Sequence, residues 1–135
     1  MGYFDWKDSL SIGVQAMDSQ HQELIGLMNR LYKQSEERES KEHLIATLGA
    51  LDRFTRKHFA EEEVFMASIG YTQLATHKII HTQLLQTLGE HMALFIKSTS
   101  KQIPSGLFTF LKLWLTSHIL GIDMRYAEFV NKGAA

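Results

Sequence analysis

The stretch "HFAEEEVFMASIGYTQLATHKIIH", residues 58–81, decides the fold and frames the chemistry. It places His58 four residues before Glu62, and His77 four residues before His81. Residues four apart on an α-helix stack on one face, so each pair shares a stripe. Leu44, Leu48, Leu51, Phe54 and Phe65 recur at the same spacing around the first pair. Leu74, Leu84 and Leu88 do so around the second. Between the two periodic runs, Gly70 is placed to end the first helix in a left-handed conformation. The stretch reads as the turn between two antiparallel helices whose apolar faces carry ionisable side chains.

Working outward, Ser40 is a cap for the helix that holds His58, and "KQSEERESKE" separates it from an earlier one. That earlier helix carries Leu24, Met28, Leu31 and Tyr32, and Ser19 with Gln22 fits a capping box at its start. The third helix is expected from about Thr72 to Ile96. The loop "KSTSKQIPSG" holds Pro104, the one proline, and Ser105 is the expected cap of a fourth helix. Leu107, Leu111, Trp114, Leu115, His118, Ile122 and Tyr126 line that helix. Residues 1–18 read as an irregular arm whose Tyr3, Phe4 and Trp6 fold back on the body. These elements predict an all-α, antiparallel up-down-up-down four-helix bundle over residues 19–131, with 1–135 forming a single domain.

Composition removes several classes of function. Fourteen Lys and Arg against 15 Asp and Glu leave a formal charge of −1, which argues against nucleic acid or an anionic membrane as partner. The chain has no cysteine, so thiolate metal sites, disulfides and a cysteine nucleophile are excluded. The amino terminus lacks a basic start followed by an apolar run. The most apolar stretch, "LFTFLKLWLTSHILGI", is interrupted by Lys112 and His118 and is too short to span a bilayer. The expectation is a soluble, cytoplasmic protein without membrane contact.

Each helix carries polar ionisable residues on its apolar stripe: His21 on the first, His58 and Glu62 on the second, His77 and His81 on the third. His118 follows on the fourth, with Asp123 just after it. A single histidine on such a stripe is usually a hydrogen-bonded core residue. Four helices contributing together are not explained that way, because buried carboxylates cost several kcal/mol each without compensating charge. A bound cation supplies it. His43 and His91 fall off the shared layer and are expected to be solvated. Imidazoles and carboxylates suit iron, manganese, zinc or copper and not calcium. Seven ligands exceed one shell, so two ions are expected. With both carboxylates bridging and a solvent bridge added, eleven of twelve octahedral positions are filled. One position stays open for a small diatomic ligand.

The order H…HxxxE…HxxxH…HxxxxD, with "MDSQHQELIGLMNRL", "IGY" and "WLTSHILGIDMRY" around it, resembles the hemerythrin family from about Trp6 to Val130. The resemblance implies a four-helix bundle with a non-haem centre of two iron ions joined by an oxo or hydroxo bridge, binding O2 reversibly. It implies that His77, His81 and His118 hold one iron and His21 and His58 the other, with Glu62 and Asp123 bridging. Leu115 then lies over the oxygen site, with Trp114 and Ile119 completing the pocket. His118 and Asp123 are five apart, about 140° on a regular α-helix. Either Asp123 reaches in from the flank or the helix widens in a π-bulge, which Gly121 would tolerate.

A five-histidine site with one open position favours binding O2 and returning it, as a carrier, delivery or storage protein. The same chemistry serves an O2 or redox sensor domain of a chemotaxis-type signalling protein, fused to or contacting a signalling domain. The alternative is a di-iron enzyme with peroxidase, nitric oxide or iron oxidation chemistry. That reading needs a substrate channel or a proton relay, for which Tyr126 and Thr116 are the candidates. A first methionine and the ending "NKGAA" are compatible with a complete carrier and equally with a domain of a longer protein.

Overall fold

The computed structural model describes residues 4–133, without the side chains of residues 120, 122 and 131–133. Tyr3 and the side chain of Ile122, both expected to pack inward, lie outside the described residues. The elements are a 3₁₀ turn (Asp8–Leu10), α1 (Gln15–Glu36), α2 (Lys41–Ser68), α3 (Leu74–Lys97), α4 (Ser105–Ser117), a π turn (His118–Asp123) and α5 (Met124–Gly133). No strand occurs among the described residues. α4, the π turn and α5 follow one another without a break, so the chain makes four rods. α2 packs between α1 and α3, and α4 also meets α1.

The arm folds back as expected, through Phe4 and Trp6. Phe4 is buried and exchanges two hydrogen bonds with the Asn29 side chain, at 2.7 and 2.6 Å. Trp6 packs against the core at partial burial. α1, however, begins at Gln15 and not at a Ser19 capping box, and its cap residue, Val14, provides no side-chain bond. The chain turns at Gly13, whose φ of +81° suits glycine. The Asp18 carboxylate, in the first helical turn, then accepts from Ile12 N at 2.9 Å and Ser11 Oγ at 2.6 Å. An anion there also complements the helix dipole. Ser19 is thereby left inside the helix.

α2 has the cap expected of it, Ser40 Oγ accepting from His43 N at 3.2 Å. It ends at Gly70, whose φ is +67°. Tyr71 N bonds Met66 O at 3.0 Å and Gly70 N bonds Ala67 O at 3.1 Å, the paired pattern of a Schellman motif. α1 ends with the same pattern, Glu39 N to Gln34 O and Arg38 N to Ser35 O, but with Arg38 in the left-handed position at φ +55°. At α4 the cap position belongs to Pro104, and Ser105 is the first helical residue without a capping bond. The loop before it is held instead by Ile103 N donating to Ser35 Oγ at 3.0 Å.

The half of the bundle at the Ser35–Ile103 end is filled by apolar side chains. Leu31, Leu44, Leu48 and Leu111 are all fully buried there. Burying a leucine contributes roughly 1.5–3 kcal/mol each, so this layer stabilises the bundle by apolar burial alone. The stripes continue toward the other end, where polar side chains replace leucine. No helix among the described residues is long and apolar enough to cross a membrane.

Candidate metal centre

Seven side chains from all four rods converge in the second half of the bundle. His21 comes from α1, His58 and Glu62 from α2, His77 and His81 from α3, and His118 and Asp123 from the two ends of the π turn. Every one is at most 3 % exposed. His77 Nε2 lies 3.4 Å from Glu62 Oε1 and 3.1 Å from Asp123 Oδ1. His81 Nε2 is 2.9 Å from Glu62 Oε1, and His118 Nε2 is 2.9 Å from Asp123 Oδ1. On the other side, His21 Nε2 is 3.1 Å from Asp123 Oδ2 and His58 Nε2 is 3.3 Å from Glu62 Oε2. The ligand atoms fall into two overlapping groups, each within 4.8 Å: His77, His81, His118, Glu62 and Asp123, and His21, His58, Glu62 and Asp123. Glu62 and Asp123 belong to both.

Asp123 joins the cluster because the helix widens. In the π turn His118–Asp123, i→i+5 bonding places the fifth residue where an α-helix places the fourth. Of the two routes open to Asp123, the bulge is the one taken. Gly121 sits within the turn, and a Cβ added there would meet no atom within 4 Å. Its role is therefore not to relieve crowding.

Hydrogen bonds such as His77 Nε2 to Asp123 and His81 Nε2 to Glu62 account for only part of this proximity. His21 Nε2, His58 Nε2 and Asp123 Oδ2 are buried and lack a hydrogen-bond partner despite neighbours at 3.1 to 3.7 Å. Buried polar atoms are nearly always paired, and a group of orphans aimed inward marks a missing partner. Nitrogen and carboxylate donors pointing at shared positions fit borderline metal ions such as iron. The residues fit bound metal.

A sequence model of the Hemerythrin HHE cation binding domain matches residues 12–130. The chain belongs to the hemerythrin family. It is 33 % identical over 133 residues to a bacteriohemerythrin of Stenotrophomonas maltophilia, spanning 97 % of this chain and 84 % of that protein. A myohemerythrin of Riftia pachyptila is 33 % identical over 121 residues, spanning 90 % of this chain and 88 % of its own. A crystal structure of a wild-type hemerythrin superposes with a TM-score of 0.84, at 24 % identity, covering 93 % of this chain and 96 % of that one. That likeness shows the fold, a four-helix bundle.

In this hemerythrin-family chain the site's electrostatics follow from burial and convergence. Burial opposes charge on His21, but Asp123 and Glu62 outweigh it and push its pKa up to about 9. His118, likewise opposed by burial and favoured by the same two carboxylates, is pushed up to about 10, and His77 is raised. Burial pushes Glu62 upward, yet the imidazoles of His118, His21, His58 and His77 gathered around it hold it well below its ordinary range. Asp123 is lowered too, although burial and Glu62 both oppose it, with His118 the chief counterweight. Without metal, charge on His21 and His118 would balance the two carboxylates.

Several supporting side chains went unforeseen. Phe59 stacks flat on the His81 ring, with centroids 3.8 Å apart and planes 2° apart, and meets Trp114 edge-on at 5.9 Å. Glu63 Oε2 lies 2.8 Å from His81 Nδ1. Gln20 Oε1 lies 2.5 Å from His58 Nδ1, and Gln20 Nε2 donates to Glu61 Oε2 at 2.6 Å. Helical steps of 100° put Glu61 and Glu63 on either flank of Glu62, and that periodicity is the signal by which they could have been found. Of the two relay candidates, Tyr126 reaches the cluster, donating to Glu62 Oε2 at 3.0 Å; Thr116 is half-buried and does not. Leu115 and Ile119 are buried, as is Trp114, whose Nε1 lacks a partner. His43 is exposed beside Glu39. His91, expected in solvent, is half-buried because its ring stacks on Phe110 at 5.0 Å.

Proposed function

We propose that this chain is one domain that holds two iron ions and binds O2 reversibly at a single open position. The observation that carries the reading is the pair of overlapping donor groups sharing Glu62 and Asp123. His77, His81 and His118 would hold one ion and His21 and His58 the other, with both carboxylates bridging. Five imidazoles and two shared carboxylates would leave room for one small ligand, on the side held by two histidines. Iron, when bound, supplies the electrons that reversible oxygen binding needs.

The chain's own residues favour binding over turnover. Phe59 shields His81, and Trp114, Leu115 and Ile119 add an apolar wall that limits access of water and protons. Among the described residues, Tyr126 is the one whose hydroxyl reaches a proposed ligand. Burial, then the charges of Glu62 and Asp123, push its pKa far above the ordinary phenol value, so it stays protonated and serves as a hydrogen-bond donor. A relay for catalysis would need a group that gives up its proton. The cysteine-free composition fits a cytoplasmic setting, where the same chemistry would serve a carrier or the sensing part of a longer signalling protein.

The test is to load the chain with ferrous iron without oxygen, admit air while recording the visible spectrum, and strip the oxygen out. A charge-transfer band that appears and then disappears supports the reading. A band that never forms, or iron that stays ferric after oxygen is removed, moves the assignment to redox sensing or catalysis. Glu62→Ala should abolish binding of a pair; two irons per chain in that variant would refute the bridging role. Leu115→Phe should weaken oxygen binding with the pair retained, and unchanged affinity would place the open position elsewhere.

A further inference from the structure

The run Glu61, Glu62, Glu63 serves three directions from one helix. Glu62 enters the cluster, Glu61 turns toward α1, and Glu63 turns toward α3. The outer nitrogens of the cluster's histidines are consequently treated unequally. His81 Nδ1 faces a carboxylate at 2.8 Å, and His58 Nδ1 faces the neutral Gln20 amide at 2.5 Å. His21 Nδ1 and His118 Nδ1 are buried without a partner. Among the described residues, His81 is the one cluster histidine with a carboxylate on its outer edge.

We propose that Glu63 is a positioning residue for the three-histidine half of the centre, strengthening its hold on a metal ion through His81. This rests on the di-iron reading. A carboxylate accepting at Nδ1 keeps a proton on that nitrogen, so Nε2, which lies 2.9 Å from Glu62 Oε1 and 3.2 Å from His118 Nε2, is the one left to take a metal ion. The negative charge also raises the donor strength of the inner nitrogen. Phe59 fixes the ring from its face, so Glu63 has a single orientation to secure. The side chain of Glu63 is 27 % exposed against 2 % for His81, so the carboxylate stays partly hydrated while it orients a buried ring. The other half lacks this support, because Gln20 brings no charge to His58.

The experiment is an oxygen-free titration of metal-free protein with cobalt(II), following its visible bands, for wild type, Glu63→Gln and Glu63→Ala. Proton and nitrogen-15 NMR of His81 in the zinc-loaded chains accompanies it. Glu63→Ala should weaken the first binding step about 10- to 100-fold and leave the second unmoved. Glu63→Gln, which keeps an acceptor and loses the charge, should fall between wild type and the alanine variant. The His81 Nδ1 proton should appear far downfield in zinc-loaded wild type, as a proton held by a carboxylate, and move upfield in the alanine variant. Unchanged first-step affinity in Glu63→Ala overturns the proposal, as does an equal loss in both steps, which would report a generally weakened bundle. A wild-type chain that takes up no metal pair overturns the di-iron reading and this inference together.

Discussion

Filling the centre with metal should expel protons, and the structure sets how many. His21 Nε2 lies 3.1 Å from Asp123 and 3.7 Å from Glu62, and those charges hold its pKa at about 9. His118 Nε2, 2.9 Å from Asp123 and 3.5 Å from Glu62, is held at about 10. At pH 7 these gaps keep about 99 % or more of each imidazole protonated in the metal-free chain. A metal ion needs the lone pair that the proton occupies, so occupying both halves should release about two protons per chain. His77, also raised, adds to that release. Apparent affinity for the metal pair should therefore climb roughly 100-fold per pH unit from pH 7 toward 9, and about tenfold per unit from there to 10. Calorimetric titration with zinc(II) in two buffers of different ionisation enthalpy counts the protons directly. Release of fewer than one proton per chain at pH 7, or an affinity flat between pH 7 and 9, would refute the reasoning.

The same groups set the acid–base profile of the metal-free fold. The raised histidines stabilise it fully below their ordinary 6.5 and lose that contribution as pH rises through 9 and 10. The depressed Glu62 and Asp123 contribute above their ordinary 4.5 and 3.8 and lose it as pH falls. Metal-free protein should thus melt highest between about pH 4.5 and 6.5, and a melting temperature rising from pH 6.5 to 9 would contradict this. Arg38→Gly relieves a left-handed residue at the end of α1, against a greater loss of chain entropy on folding. The net gain should be about 0.5 kcal/mol by urea unfolding, and a lowered midpoint would contradict it. Tyr126→Phe removes the hydroxyl that donates to Glu62, costing roughly 1.5–3 kcal/mol of metal-free stability. A loss under about 0.5 kcal/mol would show that Glu62 is satisfied without it.

What the sequence made legible about the fold was what short-range chemistry decides. Leu44, Leu48 and Leu51 recur at helical spacing whatever they pack against, and Ser40 and Gly70 act on backbone groups within a few residues. The start of α1 was not legible because its determinant lies outside the helix. A turn at Gly13 lets Ile12 and Ser11 reach Asp18, and a capping box at Ser19 is never needed. At α4, Pro104 occupies the cap position beside the serine that looked suited to it.

The centre divides along a similar line. His21, His58, Glu62, His77, His81 and His118 were legible because each shares a phase with leucines, and a polar residue in that phase must point inward. Asp123 was legible as a residue and ambiguous as a geometry, since five positions in an α-helix would turn it away. The π turn resolves the ambiguity at a cost in helical regularity, and the cluster explains why the widened turn persists there. Re-closing it to α geometry would swing a carboxylate that interacts with His21, His77 and His118 out of the centre, leaving three buried imidazoles short of negative charge. Glu61 and Glu63 were hidden for the opposite reason. A run of three acids on a helix resembles a solvated face, and only the placement of α1 and α3 on either side of α2 turns Glu61 toward Gln20 and Glu63 toward His81. Helical phase thus reports which side chains face inward, while the flanking helices decide which of their neighbours support the inward set.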